Sequence, residues 1–379
     1  MQGCRTVVAA CLGLAFFMLS APTQAQYRLT NLVSNQIDEK ASNIDPLLVN
    51  AWGLARGNTA TSPWWVSDNL SGWATVYNAT GTVQSLKVLI PTAGNGPSSP
   101  DGLNGPGTPT GMVSNGTSNF VVTGADGTSA PANFIFATLD GTISAWSFGV
   151  NKNEAIIEVD NSASKAMYTG LAITNNSSGP NFLYAADNTN NHVDMFDSNF
   201  NLVKSFSDPS IPSNFSVFGI QVINGMVYVA YAIPNVGAGG FIDVFKQDGT
   251  DPKILIQGLP LNQAWGMTLA PSNFGPLSNT LLVSNNSIDG TINGFNPQTG
   301  EFVGTIRDRH GRKIIFNQTW AIVFGSGGGT SATPPASGAQ NELFVTVGPG
   351  KPGQNENTGV LASIVFDPTP DHGNQGQQQ

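Results

Sequence analysis

The stretch NAWGLARG at residues Asn50–Gly57 returns later in the chain as QAWGMTLA at Gln263–Ala270. Related stretches recur every 47 to 59 residues, each with an aromatic residue or threonine, then glycine or alanine, then apolar residues. They begin at Trp52, Thr110, Thr169, Phe218, Trp265 and Trp320. Such regular self-similarity is typical of repeat proteins, in which each repeat forms one supersecondary unit.

Each repeat contains further runs with the pattern of β-strands. In the first repeat these runs read PWWVSDN, WATVYNA and SLKVLI, and most of them have counterparts in the other repeats. Alternating apolar positions, aromatic and β-branched residues, and turns rich in Asn, Asp and Gly indicate antiparallel strands. Four short strands in each of six units predict an all-β, six-bladed β-propeller. The glycines of the first run would let six inner strands crowd around one axis, and we expect the tryptophans to pack between blades.

The sixth repeat ends after its third strand, at Phe366, so one strand is missing there. An unused strand-like run, YRLTNLV at 27–33, precedes the first repeat. We predict that it is the outer strand of the last blade, where it would close the ring and cover an open sheet edge. The propeller domain would then span 26–366, and we expect the polar tail 367–379 and the Gly/Ser/Pro-rich stretch 326–338 to be disordered.

Residues 1–25 have the pattern of a secretory signal peptide. Arg5 precedes an apolar run that is too short to span a bilayer, and the small residues TQA end at Ala25. Both cysteines, Cys4 and Cys11, lie in this leader. Because the mature chain would then lack cysteine, thiol catalysis and cysteine-based zinc sites are excluded. We expect an exported protein that is periplasmic or extracellular.

Composition restricts the partners of the protein. The 379 residues include 15 Lys and Arg against 24 Asp and Glu, a formal net charge of −9. This balance argues against nucleic acid, whose binding depends on cationic contacts to phosphate, and against anionic membrane surfaces. No segment after the leader could span a membrane. We therefore expect a monomer whose partner is a small molecule, a glycan or a protein.

Several segments, considered together, resemble a known family. They are the two AWG stretches, FIFATLDGTISAW at 134–146, FIDVF at 241–245 and NELFVTVGPG at 341–350. In combination they resemble a family of exported bacterial proteins of unassigned function that is related to NHL-type six-bladed propellers. The resemblance covers nearly the whole mature chain and implies the fold and export. It implies no catalytic residues.

One face of the predicted propeller would gather polar side chains around the mouth of the central channel, where the inner strands begin. As ligand-binding residues we predict Asn50, Asp68, Asn69, Asp140, Tyr168, Gln263 and Gln318, with Thr110 nearby. As metal ligands we predict Asp187, Asn188, Asn285 and Asn286, because oxygen ligands suit calcium. The alternative is that these Asp and Asn residues only build turns through bonds from side chain to backbone.

His192 is the candidate catalytic residue, in the sequence DNTNNHVD and close to Asp187 and Asp194. A histidine beside carboxylates can act as a general base or as a metal ligand, and the alternative is a plain turn residue. The fold does not choose between functions. The sequence favours a secreted binding or scaffold protein of unknown ligand. The alternative is a calcium-dependent propeller enzyme such as a hydrolase or lactonase, a lyase or a sugar dehydrogenase.

Overall fold

The computed structural model describes residues 27–93, 106–233, 238–328, 335–350 and 357–368. The predicted signal peptide lies outside the described residues, as does the predicted disordered tail beyond Pro368. In the part of the chain that is described, no helix is long and apolar enough to cross a membrane.

Six antiparallel sheets follow one another along the chain and confirm the predicted six-bladed β-propeller. Blade one contains β3 (Ala51–Ala55), β4 (Trp64–Asp68), β5 (Trp73–Tyr77) and β6 (Val83–Leu89). Blade two contains β7 (Pro109–Ser114), β10 (Phe134–Thr138), β11 (Thr142–Trp146) and β12 (Ile156–Asp160), with an added hairpin of β8 (Val121–Thr123) and β9 (Ser129–Pro131). Blade three contains β13 (Tyr168–Ile173), β14 (Leu183–Asp187), β15 (His192–Phe196) and β16 (Leu202–Phe206).

The remaining blades repeat this order. Blade four contains β17 (Ser216–Ile223), β18 (Met226–Ala232), β19 (Phe241–Phe245) and β20 (Lys253–Gln257). Blade five contains β21 (Ala264–Leu269), β22 (Leu281–Asn285), β23 (Ile292–Phe295) and β24 (Phe302–Thr305). Blade six contains β25 (Thr319–Phe324), β26 (Glu342–Val347), β27 (Val360–Phe366) and β1 (Tyr27–Ser34), and the short β2 (Asn43–Ile44) pairs in parallel with β1. Short 3-10 turns lie at Ile37–Glu39, Ser162–Ser164 and Gly275–Leu277.

The N-terminal strand closes the ring as predicted. Strand β1 pairs antiparallel with β27, with Tyr27 opposite Phe366 and Ser34 opposite Val360. The Tyr27 hydroxyl donates a hydrogen bond of 2.7 Å to the carbonyl of Phe274, which follows the inner strand of blade five. The closure therefore joins the two ends of the described chain and also fastens blade six to its neighbour.

The inner strands crowd one another as the glycine pattern indicates. A Cβ atom added at Gly53 in blade one would lie 2.5 Å from the carbonyl oxygen of Thr110 in blade two. That distance is too short for any side chain, and the Thr110 oxygen is a backbone atom that cannot move independently of its strand. Glycine at this position is therefore required by the approach of neighbouring blades around the axis.

Three of the tryptophans pack between blades as expected, and they meet one another around the channel. Trp52 stacks on Trp320 with ring centroids 3.4 Å apart, and both form edge contacts with Trp265, at 6.5 and 5.7 Å. In each of the three inner strands the pairing register is interrupted at the tryptophan. A bulge redirects a side chain relative to a regular strand, and here it accompanies the rings that meet between blades.

The Gly/Ser/Pro-rich stretch 326–338 differs from its prediction at its two ends, whereas residues 329–334 lie outside the described residues. Ser337 is fully buried, and its hydroxyl lies 3.0 Å from that of Ser326. The backbone of Ala336 bonds to both Ala60 and Ala79 of blade one, each at 2.7 Å. These bonds to the neighbouring blade supply the order that the composition by itself does not suggest.

Candidate functional site

A cavity of about 340 Å³ opens where the inner strands begin. Among the described residues that line it, none has an ionisable side chain. Its walls combine amide side chains with aromatic rings, and the remaining lining residues are apolar apart from Thr169. The amides are Asn50, Asn188, Gln263, Asn286 and Gln318, and the rings are Trp52, Phe218 and Trp320.

Three of the predicted ligand-binding residues occupy equivalent places at this mouth. Asn50, Gln263 and Gln318 each lie two residues before a channel tryptophan, in the related sequences NAWG, QAWG and QTWA. All three have left-handed backbones, with φ of 54°, 55° and 62°. Non-glycine residues rarely adopt this conformation, and such strain clusters at functional sites. The structure therefore brings these three amides together at the cavity as the sequence predicts.

Hydrogen bonding differs among the three channel tryptophans. The Trp265 indole N–H donates to the carbonyl of Thr169 at 2.9 Å, and that of Trp320 donates to Gly348 at 2.7 Å. The Trp52 indole N–H has no partner among the described residues, although this residue is only 7% exposed. A buried, unpaired donor costs about 1–3 kcal/mol.

Two acceptors of residues that line the same cavity also lack partners in the described part of the chain. They are the side-chain oxygens of Asn50 and Gln318, both fully shielded from solvent. The indoles of Trp64 and Trp146 are unpartnered too, but neither residue lines the channel-mouth cavity. The channel mouth is thus where one unpartnered donor and two unpartnered acceptors belong to the walls of a single cavity. The sequence reasoning missed Trp52 as a site residue, and the threefold amide–x–Trp pattern is the signal that could have identified it.

Asn69 does not line the cavity, but it holds the side chain of Asn50, which does. It is 2% exposed, its side-chain oxygen accepts from the Asn50 amide at 3.1 Å, and its own amide donates to the Pro109 carbonyl at 3.2 Å. The neighbouring Asp68 is fully buried and accepts from the Thr75 hydroxyl at 2.7 Å. Burial raises the pKa of Asp68 well above its usual range. Neither residue lines the cavity, so Asn69 positions Asn50 and Asp68 belongs to the interior of blade one.

Other predicted site residues also lie away from the cavity lining, namely Asp140, Tyr168, Thr110, Asn285, Asp187 and His192. Asp140 accepts from the Thr92 hydroxyl at 2.7 Å and from the Ala93 N–H at 2.6 Å, which anchors the segment after β6. The Thr110 hydroxyl bridges neighbouring inner strands by donating to the Tyr168 carbonyl at 2.6 Å. Asn285 accepts from the Asn262 N–H at 3.0 Å. These contacts are the structural roles that the turn interpretation predicts for such residues.

A second cluster of functional groups lies in blade three. The His192 Nε2 atom is 3.1 Å from Asp194 Oδ1 and 3.8 Å from Asp187 Oδ2, and one ligand atom from each residue lies within 4.8 Å of the others. The Asp194 carboxylate also accepts from the hydroxyls of Ser205, at 2.5 Å, and Tyr168, at 2.8 Å. The four predicted metal ligands are therefore in different surroundings, because Asn188 and Asn286 line the cavity, Asp187 belongs to this cluster and Asn285 holds a turn.

The ionisation of this cluster follows from its contacts. The hydrogen bond that His192 donates to Asp194 raises the pKa of His192, and burial opposes that shift only in part. Burial alone would raise the pKa of Asp194, but the hydrogen bonds from His192, Ser205 and Tyr168 outweigh it and lower this pKa. Both shifts favour the charged forms of the two side chains, and the His192 side chain is 31% exposed to solvent.

Comparison with known proteins adds the fold and the family. No family model matches the chain. A gluconolactonase from Xanthomonas campestris superposes with a TM-score of 0.51 over 90% of both chains, and at 13% identity this likeness shows the fold alone. "Uncharacterized protein R640" of Acanthamoeba polyphaga mimivirus is 33% identical over 213 residues, which are 52% of this chain and 39% of that protein.

A second relative covers more of the chain. "Uncharacterized protein L690" of the same virus is 30% identical over 312 residues, 77% of this chain and 77% of the relative. At this identity and coverage, the chain belongs to the same protein family as L690.

Proposed function

We propose that the protein, after export, binds a small neutral polar ligand in the channel-mouth cavity. One observation carries the proposal, namely that three unpartnered polar atoms, on Trp52, Asn50 and Gln318, belong to the walls of this one cavity. Because all three atoms are shielded from solvent, a ligand reaches them only after small rotations of these side chains, and it would then accept from the indole and donate to the two amide oxygens. Since each unsatisfied buried group costs about 1–3 kcal/mol, the protein gains from filling them.

The chemistry of the walls favours a sugar or another polyol. Amide side chains both donate and accept hydrogen bonds, as hydroxyl groups require. The aromatic rings offer apolar faces against which a sugar ring can pack. The absence of ionisable side chains among the described lining residues disfavours a charged ligand. The volume of about 340 Å³ lies within the usual range of small-molecule pockets, about 300–1,000 Å³.

Calorimetric titration with a panel of neutral monosaccharides, disaccharides and polyols tests the proposal. We expect at least one of them to bind, and Trp52→Phe to weaken that binding at least tenfold, a loss of about 1.4 kcal/mol. Trp146→Phe is the matched control, since it also removes an unpartnered buried indole N–H but lies outside the cavity. Equal affinity in the wild type and Trp52→Phe, or no binding across the panel, would refute the proposal.

A metal-dependent enzyme is the second candidate function, and the cluster of His192, Asp187 and Asp194 favours it. One imidazole with two carboxylates suits zinc or a similar transition metal better than calcium, which prefers oxygen ligands alone. Against this function, the Asp194 oxygens already accept hydrogen bonds from His192, Ser205 and Tyr168. A metal would have to displace the contact with His192, so we rank this function second.

Thermal unfolding with zinc, calcium or EDTA separates the two candidates. A ligand that binds only the folded state stabilises it by about 2.7 kcal/mol at one hundred times its dissociation constant. If the cluster holds a metal, zinc raises the melting temperature of the wild type, and Asp187→Asn or His192→Ala removes the rise. No shift with either ion leaves the binding protein as the proposed function.

A further inference from the structure

We propose a second binding site at the opposite mouth of the channel, where Arg56 receives a small organic carboxylate. This site is independent of the amide cavity, because the two lie at opposite ends of the inner strand β3. Asn50 precedes this strand and Arg56 follows it. Neither the sequence motifs nor the comparisons assign a role to Arg56.

Arg56 lies in the wall of a cavity of about 280 Å³. Backbone and apolar side chains of the inner strands form most of this wall. The polar side chains among the described lining residues are those of Asn58, Ser114, Asn175 and Gln221. Arg56 is the only ionisable residue in that described lining, so no acidic side chain there offsets its charge.

The guanidinium is held in place by backbone carbonyls. Its Nε donates to the carbonyl of Phe324 at 3.3 Å, one terminal nitrogen donates to Gly57 at 3.3 Å, and the other donates to Gly325 at 3.4 Å. A guanidinium has five N–H donors, so two remain free for a ligand. Arg56 is half-buried and makes no ion pair with any carboxylate in the described part of the chain.

Arg56 is a half-buried cation without an ion pair in the described part of the chain, and a bound anion would neutralise its charge. Burial lowers the pKa of Arg56, but a guanidinium stays charged at neutral pH. A planar carboxylate matches the fork geometry of arginine and forms strong, charge-assisted hydrogen bonds. A monocarboxylate also balances the single positive charge, whereas a phosphate dianion would leave excess negative charge in a protein of net charge −9.

The competing explanation is that Arg56 only fastens blade one to blade six, since Phe324 and Gly325 belong to the end of blade six. Both explanations predict that losing Arg56 reduces stability. Only the carboxylate site predicts that an added anion binds. The test must therefore measure binding as well as the stability of the ligand-free protein.

The experiment is calorimetric titration of the full chain with acetate, lactate, pyruvate and inorganic phosphate at constant ionic strength. We expect at least one monocarboxylate to bind in preference to phosphate. Arg56→Gln should weaken that binding at least tenfold, and Arg56→Lys should weaken it as well, since lysine keeps the charge but lacks the fork. Arg312→Gln is the control, because Arg312 is an exposed arginine that is paired with Asp308 at 2.7 Å.

Several results would overturn the inference. They are no carboxylate binding to the wild type, preference for phosphate, or unchanged affinity in Arg56→Gln. If Arg56→Gln does not fold, the wild-type titration and Arg56→Lys still decide the outcome. Trp52→Phe should leave carboxylate binding unchanged, so failure of the amide cavity and failure of this site remain distinguishable.

Discussion

At the scale of single residues, equivalent positions in the repeats differ in their hydrogen bonding. Trp52, Trp265 and Trp320 follow the same amide-x pattern, yet only the last two complete the hydrogen bond of the indole. Trp52 is nevertheless buried against Trp320 at a ring distance of 3.4 Å. Only its unpaired indole N–H is a cost to the ligand-free protein, and the ligand proposed above would remove that cost.

Matched substitutions measure this difference. Trp52→Phe and Trp320→Phe remove the same ring atoms, but only Trp320→Phe leaves a backbone carbonyl, that of Gly348, without its donor. We expect Trp320→Phe to lower the free energy of unfolding by about 1–2 kcal/mol more than Trp52→Phe. Chemical denaturation of the two ligand-free variants checks this expectation, and equal losses would contradict it.

Asp243 gives a pH dependence at the same scale. This residue of β19 is fully buried, and burial, reinforced by the negative charge of Asp208, raises its pKa to about 7. Because the folded-state pKa exceeds the ordinary value of 3.8, the folded protein binds the proton more tightly than the unfolded chain. Its contribution to stability is therefore complete below about pH 4 and is lost as the pH rises through about 7.

Replacing this carboxyl group isolates the effect. Asp243→Asn keeps the shape and an acceptor for the Val244 N–H but cannot ionise. We expect the variant to gain stability relative to the wild type between pH 5 and pH 8, by up to about 4 kcal/mol. Thermal unfolding across this pH range is the measurement, and a difference that does not change with pH would show that Asp243 does not titrate there.

At the scale of elements, three local structural features recur in the inner strands of blades one, five and six. A residue with positive φ precedes the channel tryptophan in blades one, five and six, a bulge interrupts the pairing register at that tryptophan, and a small residue follows it. The positive φ orients the amide side chain, and the bulge turns the tryptophan ring. The small residue lets the next blade approach closely. Together these three features form walls of the cavity.

Gly53 tests the third of these features. A methyl group there would lie 2.5 Å from the Thr110 carbonyl oxygen and 2.9 Å from the Met112 nitrogen, both backbone atoms of blade two. We expect Gly53→Ala to lower the free energy of unfolding by about 1–3 kcal/mol, the usual cost of overpacking. Gly149→Ala is the control, since nothing lies within 4 Å of the added atom and we expect a change within about 0.5 kcal/mol.

At the scale of the whole molecule, closure depends on a strand from the start of the described chain. Strand β1 supplies the fourth strand of blade six and buries Tyr27, Leu32 and Val33. The sheets of the other blades form from consecutive segments, so only blade six requires distant parts of the chain to meet. Its long-range pairing makes the N-terminal strand decisive for the ring.

Deleting 27–34 should therefore abolish the single cooperative unfolding transition. The exposed edge of β27 would lose its antiparallel partner, and a peptide of sequence 27–34 added in trans should restore the transition. Scanning calorimetry provides the measurement, with deletion of 369–379 as the control because it removes none of the described strands. An undiminished transition without 27–34 would show that the ring does not need this closure.

Much of this architecture follows from local patterns. The period of two, the turn residues and the recurring small residue predict six blades, because neighbouring segments pair within each blade. The closing strand was predicted because the sixth repeat lacks its fourth strand. The amides Asn50, Gln263 and Gln318 were also predicted to meet at the channel mouth, since they occupy the same place in related repeats. Their role in binding stays a prediction, as do export, the signal peptide and the metal ligands.

The direction of the channel tryptophans, the separation of Asp187 from Asn188 and the unpaired state of Arg56 were decided only by the tertiary structure. The physical reason is the distance along the sequence over which each kind of interaction acts. Strand pattern and turn chemistry act between residues close together in the sequence, and this sequence determined the blades and their order by itself. Bulge direction, burial and missing hydrogen-bond partners depend on what other blades bring to the same point in space.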